Sequence, residues 1–201
     1  MLHPRALEVL DYWFGDLDQT PDYFRERMSF WFNGGARVDA VIQRRFGRDL
    51  KRAVQGRYVD WEQTPRGALA LIVVLDQFSL NLFREKPESY LQSELAIPIA
   101  DRLIRRGDHR LLTPAERIFA YLPFEHRESL RHQKRSVGLF EELHRESPRS
   151  VRETFASTLD FARRHARIVR KYGRFPDRND VFGRASTPEE VRFLASKAAP
   201  F

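Results

Sequence analysis

Residues 64–84 read Thr64-Pro65-Arg66-Gly67-Ala68-Leu69-Ala70-Leu71-Ile72-Val73-Val74-Leu75-Asp76-Gln77-Phe78-Ser79-Leu80-Asn81-Leu82-Phe83-Arg84. The apolar run from Ala68 to Leu75 has the composition of a buried strand, and periodicity alone does not tell such a run from a buried helix. Two features favour helix. Thr64 before Pro65 marks a helix start: the hydroxyl caps a free N–H, and proline at the first helical position has none to leave unsatisfied. The apolar positions also continue to Phe78 and Leu82 at helical spacing. A helix apolar all round is enclosed by its neighbours, so this one is placed at the centre of the molecule.

The same start recurs at Thr20-Pro21, Thr113-Pro114 and Thr187-Pro188. Glu116 and Glu190 stand where they complete capping boxes at the last two. Val38, Val41, Ile42, Phe46, Leu50, Ala53 and Val54 draw one apolar helical stripe, ended near Gly56. Phe155, Leu159, Ala162, Ala166 and Val169 draw another, closed by Gly173 as a left-handed cap. Leu130, Val137, Phe140 and Leu143 suggest a third. Pro98 either kinks the 91–106 segment or marks its true start. No period-two alternation and no Asn-Gly or Asp-Gly turn argues for strands. The expectation is an all-α fold, and without any Pro/Gly/Ser linker a single domain over residues 1–201.

A chain of 201 residues buries about 70% of its unfolded surface, so it needs no covalent staples. It contains no cysteine, which excludes disulfides, thiolate catalysis and Cys-ligated metal centres. The net charge is +7, and 30 of the 35 basic residues are Arg. Arginine suits bidentate contacts to anions, but here it is interleaved with Glu and Asp, as on ordinary solvated helix faces. No apolar stretch is long enough to span a bilayer, and the N-terminus has no secretory pattern. A soluble cytoplasmic protein is expected.

Three polar groups stand out against this background. At the end of the central helix, Gln77, Asn81 and Arg84 share one face, with Asp76 about 100° away. Such groups must be paired, solvated or used; pairing of Asp76 and Arg84 with neighbouring helices is the structural alternative. In Tyr121-Leu122-Pro123-Phe124-Glu125-His126 the proline is expected to break the helix begun at Thr113 and to present Glu125 and His126 on a turn. Histidine there suits general acid or base work; an ordinary exposed turn explains it equally well. The segment Tyr172 to Arg184 carries Arg174, Arg178, Asn179 and Arg184 beside two glycines, which suits an anion cradle. His165 points from the preceding helix towards the apolar stripe, where a satisfied core histidine is the commoner reading.

Standard motifs are missing. There is no phosphate-binding Gly-Lys-Ser/Thr loop, no Gly-x-Ser-x-Gly elbow and no His-Glu-x-x-His. Glu141-x-x-His144 is a single copy of a di-iron spacing that needs two. Asp16-Leu17-Asp18-Gln19-Thr20 opens like a calcium loop, then places Pro21 where glycine is required and Arg27 where the bidentate Glu belongs. Trp13-Phe14 and Trp31-Phe32 sit in helical patterns and read as core rather than as base-stacking platforms.

Leu10-Asp11-Tyr12-Trp13-Phe14-Gly15, Thr64-Pro65-Arg66-Gly67, Leu75-Asp76-Gln77-Phe78, Asn81-Leu82-Phe83-Arg84, Tyr121 to His126, Arg174-Phe175-Pro176-Asp177-Arg178-Asn179 and Gly183 to Glu190 occur in the order seen in a bacterial family known as domain of unknown function 924. The chain resembles that family over nearly its whole length. The resemblance implies an all-helical, tetratricopeptide-like fold of antiparallel hairpins around the central apolar helix, and no reaction. The chain departs from the family pattern at Ser79-Leu80 (usually Pro-Arg), at Asp177 (usually His) and at Arg127-Glu128-Ser129 (usually Ser-Glu-Asp). A mechanism needing that loop histidine or that extra arginine does not carry over.

These readings give a candidate catalytic set of His126, Asp76 and His165. The candidate ligand-binding set is Gln77, Asn81, Arg84, Arg174, Arg178, Asn179 and Arg184. No metal site is assigned and the cofactor is left open. The leading expectation is a central polar site for a small anionic ligand, phosphate or carboxylate, with turnover undecided. Its rival is a non-catalytic scaffold gripping an acidic peptide in a groove lined by Arg163, Arg167 and Arg170. Nucleic acid ranks third, on net charge alone, and no membrane partner is expected.

Overall fold

The computed structural model describes residues 1–16 and 20–196, so most of the 16–20 stretch lies outside the described residues. The chain is all-helical, with no strand among the described residues. In chain order the α-helices are α1 (Pro4–Phe14), α2 (Pro21–Asn33), α3 (Gly35–Val54), α4 (Pro65–Val73), α5 (Ser79–Leu82), α6 (Pro87–Ser93), α7 (Ala96–Arg105), α8 (Pro114–Glu125), α9 (Leu130–Glu146), α10 (Arg152–Tyr172) and α11 (Pro188–Leu194). None is long and apolar enough to cross a membrane.

All four Thr-Pro starts cap helices. The hydroxyls of Thr20, Thr64, Thr113 and Thr187 accept from backbone N–H groups of the first turn, and the last two form full capping boxes with Glu116 and Glu190. Gly173 closes α10 with a left-handed backbone, φ 73°. Pro98 lies in the first turn of α7, where its missing N–H costs nothing, so it marks a start rather than a kink.

The segment 64–84 is central. Every α4 residue from Gly67 to Val73 is buried, against α1, α7 and α8. Gly67 is required there: a Cβ would lie 2.2 Å from the Trp61 carbonyl oxygen. After Val73 the helix widens into a π-turn over Val74–Phe78 before resuming as α5. Such single-turn insertions often occur at functional sites, and this one carries Asp76 and Gln77. Around it the aromatic core locks α1 to α2 and α8. The Trp13 ring meets Phe78 at 5.6 Å and Phe119 at 5.5 Å, edge to face. Trp31 Nε1 donates to the Trp13 carbonyl at 2.8 Å. Trp13, Phe14 and Trp31 are core, as read from the sequence; Phe32 is half-exposed.

One expectation is overturned. Pro123 does not break α8, which runs through it to Glu125, and Glu125 is buried rather than presented on a turn. Residues 115–125 are buried throughout, and packing on every side holds the helix despite the lost backbone donor. α8, α9 and α10 then follow through short connections at 126–129 and 147–151, each packed on the next.

Candidate functional site

The π-turn of the central helix, the end of α6 and the end of α8 converge on one carboxylate. Asp76 is fully buried. His126, the cap of α8, holds its Nδ1 2.8 Å from Asp76 Oδ1. Ser93, the last residue of α6, donates its hydroxyl to the same oxygen. Gln77 Nε2 donates to Asp76 Oδ2 at 2.6 Å. A buried carboxylate is tolerated when it is this fully hydrogen-bonded. With Asp76 as acceptor, neutral His126 carries its proton on Nδ1, which leaves Nε2 as the basic nitrogen.

His126 and Ser93 line a cleft of about 250 Å3, together with Tyr90, Ile97, Arg178, Arg127 paired with Glu94, and Glu128. Arg178 is buried on the short turn Pro176–Arg178. Its Nη1 donates to the His126 carbonyl at 2.7 Å, and its guanidinium carbon lies 4.2 Å from the ring centres of both Tyr90 and Phe175. Its Nε finds no acceptor among the described residues. Burial works against the Arg178 charge and lowers its pKa, with Tyr90, Asp177 and Glu128 opposing; an arginine stays cationic all the same. Burial likewise raises the Tyr90 phenol.

Behind the Asp76–His126 pair lies a second buried pair. His165 Nδ1 is 2.9 Å from the Phe161 carbonyl and 3.2 Å from Glu125 Oε1. Burial pushes Glu125 up to about 7 and pushes His165 down to about 4. Both are therefore neutral over the interval between those values. His165 is a core histidine, packed 5.4 Å from the Phe175 ring.

The other arginines of the candidate set are held by carboxylates. Arg174 makes a bidentate pair with Glu190 at 2.7 and 2.9 Å, and Arg184 one with Glu128 at 2.7 and 2.9 Å. Burial pushes the Glu128 carboxyl up, but Arg184 and the Phe175 N–H outweigh it and hold the group below its ordinary value. Arg174 is the main cause that brings Glu190 down to about 2. Asn179 is buried and donates to Ser186 Oγ at 3.0 Å. Asn81 and Arg84 do not reach the cleft. Both bond Asp39 of α3, Asn81 at 2.7 Å and Arg84 at 2.6 and 3.0 Å. The residues sharing the cleft are thus His126 and Arg178, with Asp76, Gln77 and Ser93 in support. Tyr90 and Ser93 carry no motif, and only the fold reveals them.

Ser93 bonds Asp76 rather than His126, so this is no serine–histidine relay. Among the described residues, no group of three or more His, Asp or Glu side chains is placed to hold a metal ion.

A family model described as "Bacterial protein of unknown function (DUF924)" matches residues 9–198. The chain belongs to that family. It is also similar to a solved structure, a protein of unknown function, ATU0120, from Agrobacterium tumefaciens. The two are 32% identical, the match covers 94% of this chain and 96% of that one, and the TM-score is 0.79. No curated protein matches the chain.

The segments behind the DUF924 resemblance divide into two kinds of work. Arg174, Asn179, Arg184 and the Thr187–Glu190 capping box tie the 173–187 loop to α11 and to Glu128. Leu75 to Phe78, Tyr121 to His126 and Arg178 build the cleft end of the molecule. The loop clamps fix where Phe175 and Arg178 stand, and so they fix the shape of the cleft.

Proposed function

We propose that the cleft binds a small ligand through an anionic group, carboxylate or phosphate, and that His126 moves a proton on that ligand. The observation that carries this reading is the pairing of His126 with the buried Asp76 beside the buried, ring-flanked Arg178. A histidine oriented by a carboxylate through Nδ1 is arranged to act through Nε2. Arg178 lines the cleft and supplies a fixed cation there, which suits an anionic group in a site of low dielectric. A cleft of about 250 Å3 limits the ligand to a few non-hydrogen atoms beyond that group. His126 is the acid–base residue here, Arg178 the anchor, and Asp76 the positioning residue; Gln77 and Ser93 hold Asp76.

In this reading the whole chain is one unit, and the consecutive packing of α8, α9 and α10 through short connections is the tetratricopeptide-like part of the fold.

The test is thermal melting of the wild type and Arg178→Ala against inorganic phosphate, sugar phosphates and small carboxylates. A ligand at a hundred times its dissociation constant adds about 2.7 kcal/mol, or several degrees for a domain of this size. One anion class should stabilise the wild type and leave Arg178→Ala unmoved. If nothing in such a panel shifts the wild type, the reading fails.

A further inference from the structure

A second concavity lies away from the cleft, between α3 and the α5–α6 segment. It measures about 230 Å3, and its walls include Leu50 and Val54 of α3 with Leu82 and Phe83 opposite. On α3 the positions 43, 47, 50 and 54 fall within about 60° of one another and form this wall. Arg37, Arg44 and Arg48 follow next around the helix, with Lys51 between them and the furrow. All four cations are exposed, and none makes an ion pair with a described residue. The acids of the same helix are already spent: Asp39 on Arg84 and Asp49 on Arg5. Arg45 is turned away, over the rings of Tyr12 and Phe46. The result is a half-open apolar furrow whose α3 rim is cationic, while the facing 83–92 segment carries exposed Glu85, Lys86 and Glu88.

We propose that this furrow docks an acidic peptide segment that inserts an apolar anchor residue. Charge complementarity selects the sign of the partner. The furrow has room for one or two side chains of Leu or Phe size, the kind of pocket that anchors a helix or extended segment in a groove. Arg37 and Arg48 are about 16 Å apart along the helix axis, which matches a partner segment of about ten residues. A concave apolar wall with half-buried Leu82 and Phe83 favours a peptide over a flat anionic bilayer. With no exposed aromatic side chain on the cationic rim, base stacking has no platform there.

The probe is a random dodecapeptide library displayed on phage and selected on the full-length chain, followed by titration of the fluorescein-labelled consensus peptide. Selected peptides should share Asp and Glu around a Leu, Ile or Phe. The double variant Arg44→Glu/Arg48→Glu should bind the consensus peptide about tenfold more weakly or worse, as should Val54→Asp. Arg178→Ala should bind it as the wild type does. Arg44, Arg48 and Val54 are exposed and Arg178 is buried, so circular dichroism melts confirm that each variant is folded before titration. Any of four results overturns the proposal. The selection yields no acidic consensus; charge reversal on α3 leaves the affinity unchanged; Arg178→Ala abolishes binding and places the peptide in the cleft; or phosphatidylserine vesicles or poly(U) displace the peptide at lower concentration than unlabelled peptide does.

Discussion

Asp76 and His126 stand 50 residues apart in the chain, and their side chains meet at 2.8 Å beneath the cleft. Asp76 receives three donors, from His126, Ser93 and Gln77, and is wholly shielded from water. Asp76→Asn keeps the shape but turns one acceptor into a donor among donors. The cost is that of buried unsatisfied groups, about 2–4 kcal/mol. It should appear in urea unfolding, and 15N chemical shifts should show neutral His126 losing its preference for the Nδ1–H tautomer. An unchanged tautomer in the variant means that Asp76 does not orient the ring.

Arg178→Lys separates charge from shape. Lysine keeps the cation but lacks the planar group lying 4.2 Å from both rings, and it holds the His126 carbonyl less well. Stability should fall by about 1–2 kcal/mol, and any ligand-induced melting shift should shrink as it does for Arg178→Ala. A lysine variant that binds like the wild type reduces the site to a point charge.

The fold was legible where physics is local. A Thr hydroxyl and a Pro ring act on the next few residues, so all four Thr-Pro starts could be placed without coordinates. The widening at Val74–Phe78 has no such mark. A π-turn inserts one residue into the helical count, so a face drawn on ideal helix geometry put Gln77 with Asn81 and Arg84. The molecule instead gives Gln77 to Asp76 and the other two to Asp39. The arginines show the same limit. Sequence displays Arg184 but not Glu128, 56 residues away, which takes its charge. An arginine's role depends on whether a carboxylate reaches it, and that is a property of tertiary packing.

Two glycines give a paired test of the central packing. Gly67→Ala drives a methyl group to 2.2 Å from the Trp61 carbonyl, backbone that cannot step aside. It should lower stability by about 2–3 kcal/mol through overpacking. Gly138→Ala, in α9 with nothing within 4 Å, should raise it by about 0.5–1 kcal/mol through helix propensity. Urea midpoints moving in the same direction for both would contradict the close approach of α4 to the 59–63 turn.

The buried pair behind the site fixes a pH dependence whose sign can be worked out. Glu125 is raised to about 7 by burial, so between its ordinary value near 4.5 and 7 the folded state holds a proton that the unfolded chain has lost. Its contribution is complete below about 4.5 and disappears as pH rises through 7. Two and a half pH units at about 1.4 kcal/mol each make about 3 kcal/mol. His165 is lowered to about 4, also by burial, so its contribution is complete above about 6.5 and is lost as pH falls through 4. The two slopes oppose each other across most of the interval, and the wild type is nearly flat there as far as this pair is concerned. Glu125→Gln removes one slope and leaves the other. The stability of the variant relative to the wild type should therefore climb by about 3 kcal/mol from pH 4.5 to pH 7, measured by urea unfolding at each pH. A difference that stays level with pH would show that Glu125 titrates alike in the folded and unfolded chain, and that His165 does not face a neutral carboxyl group at about pH 6.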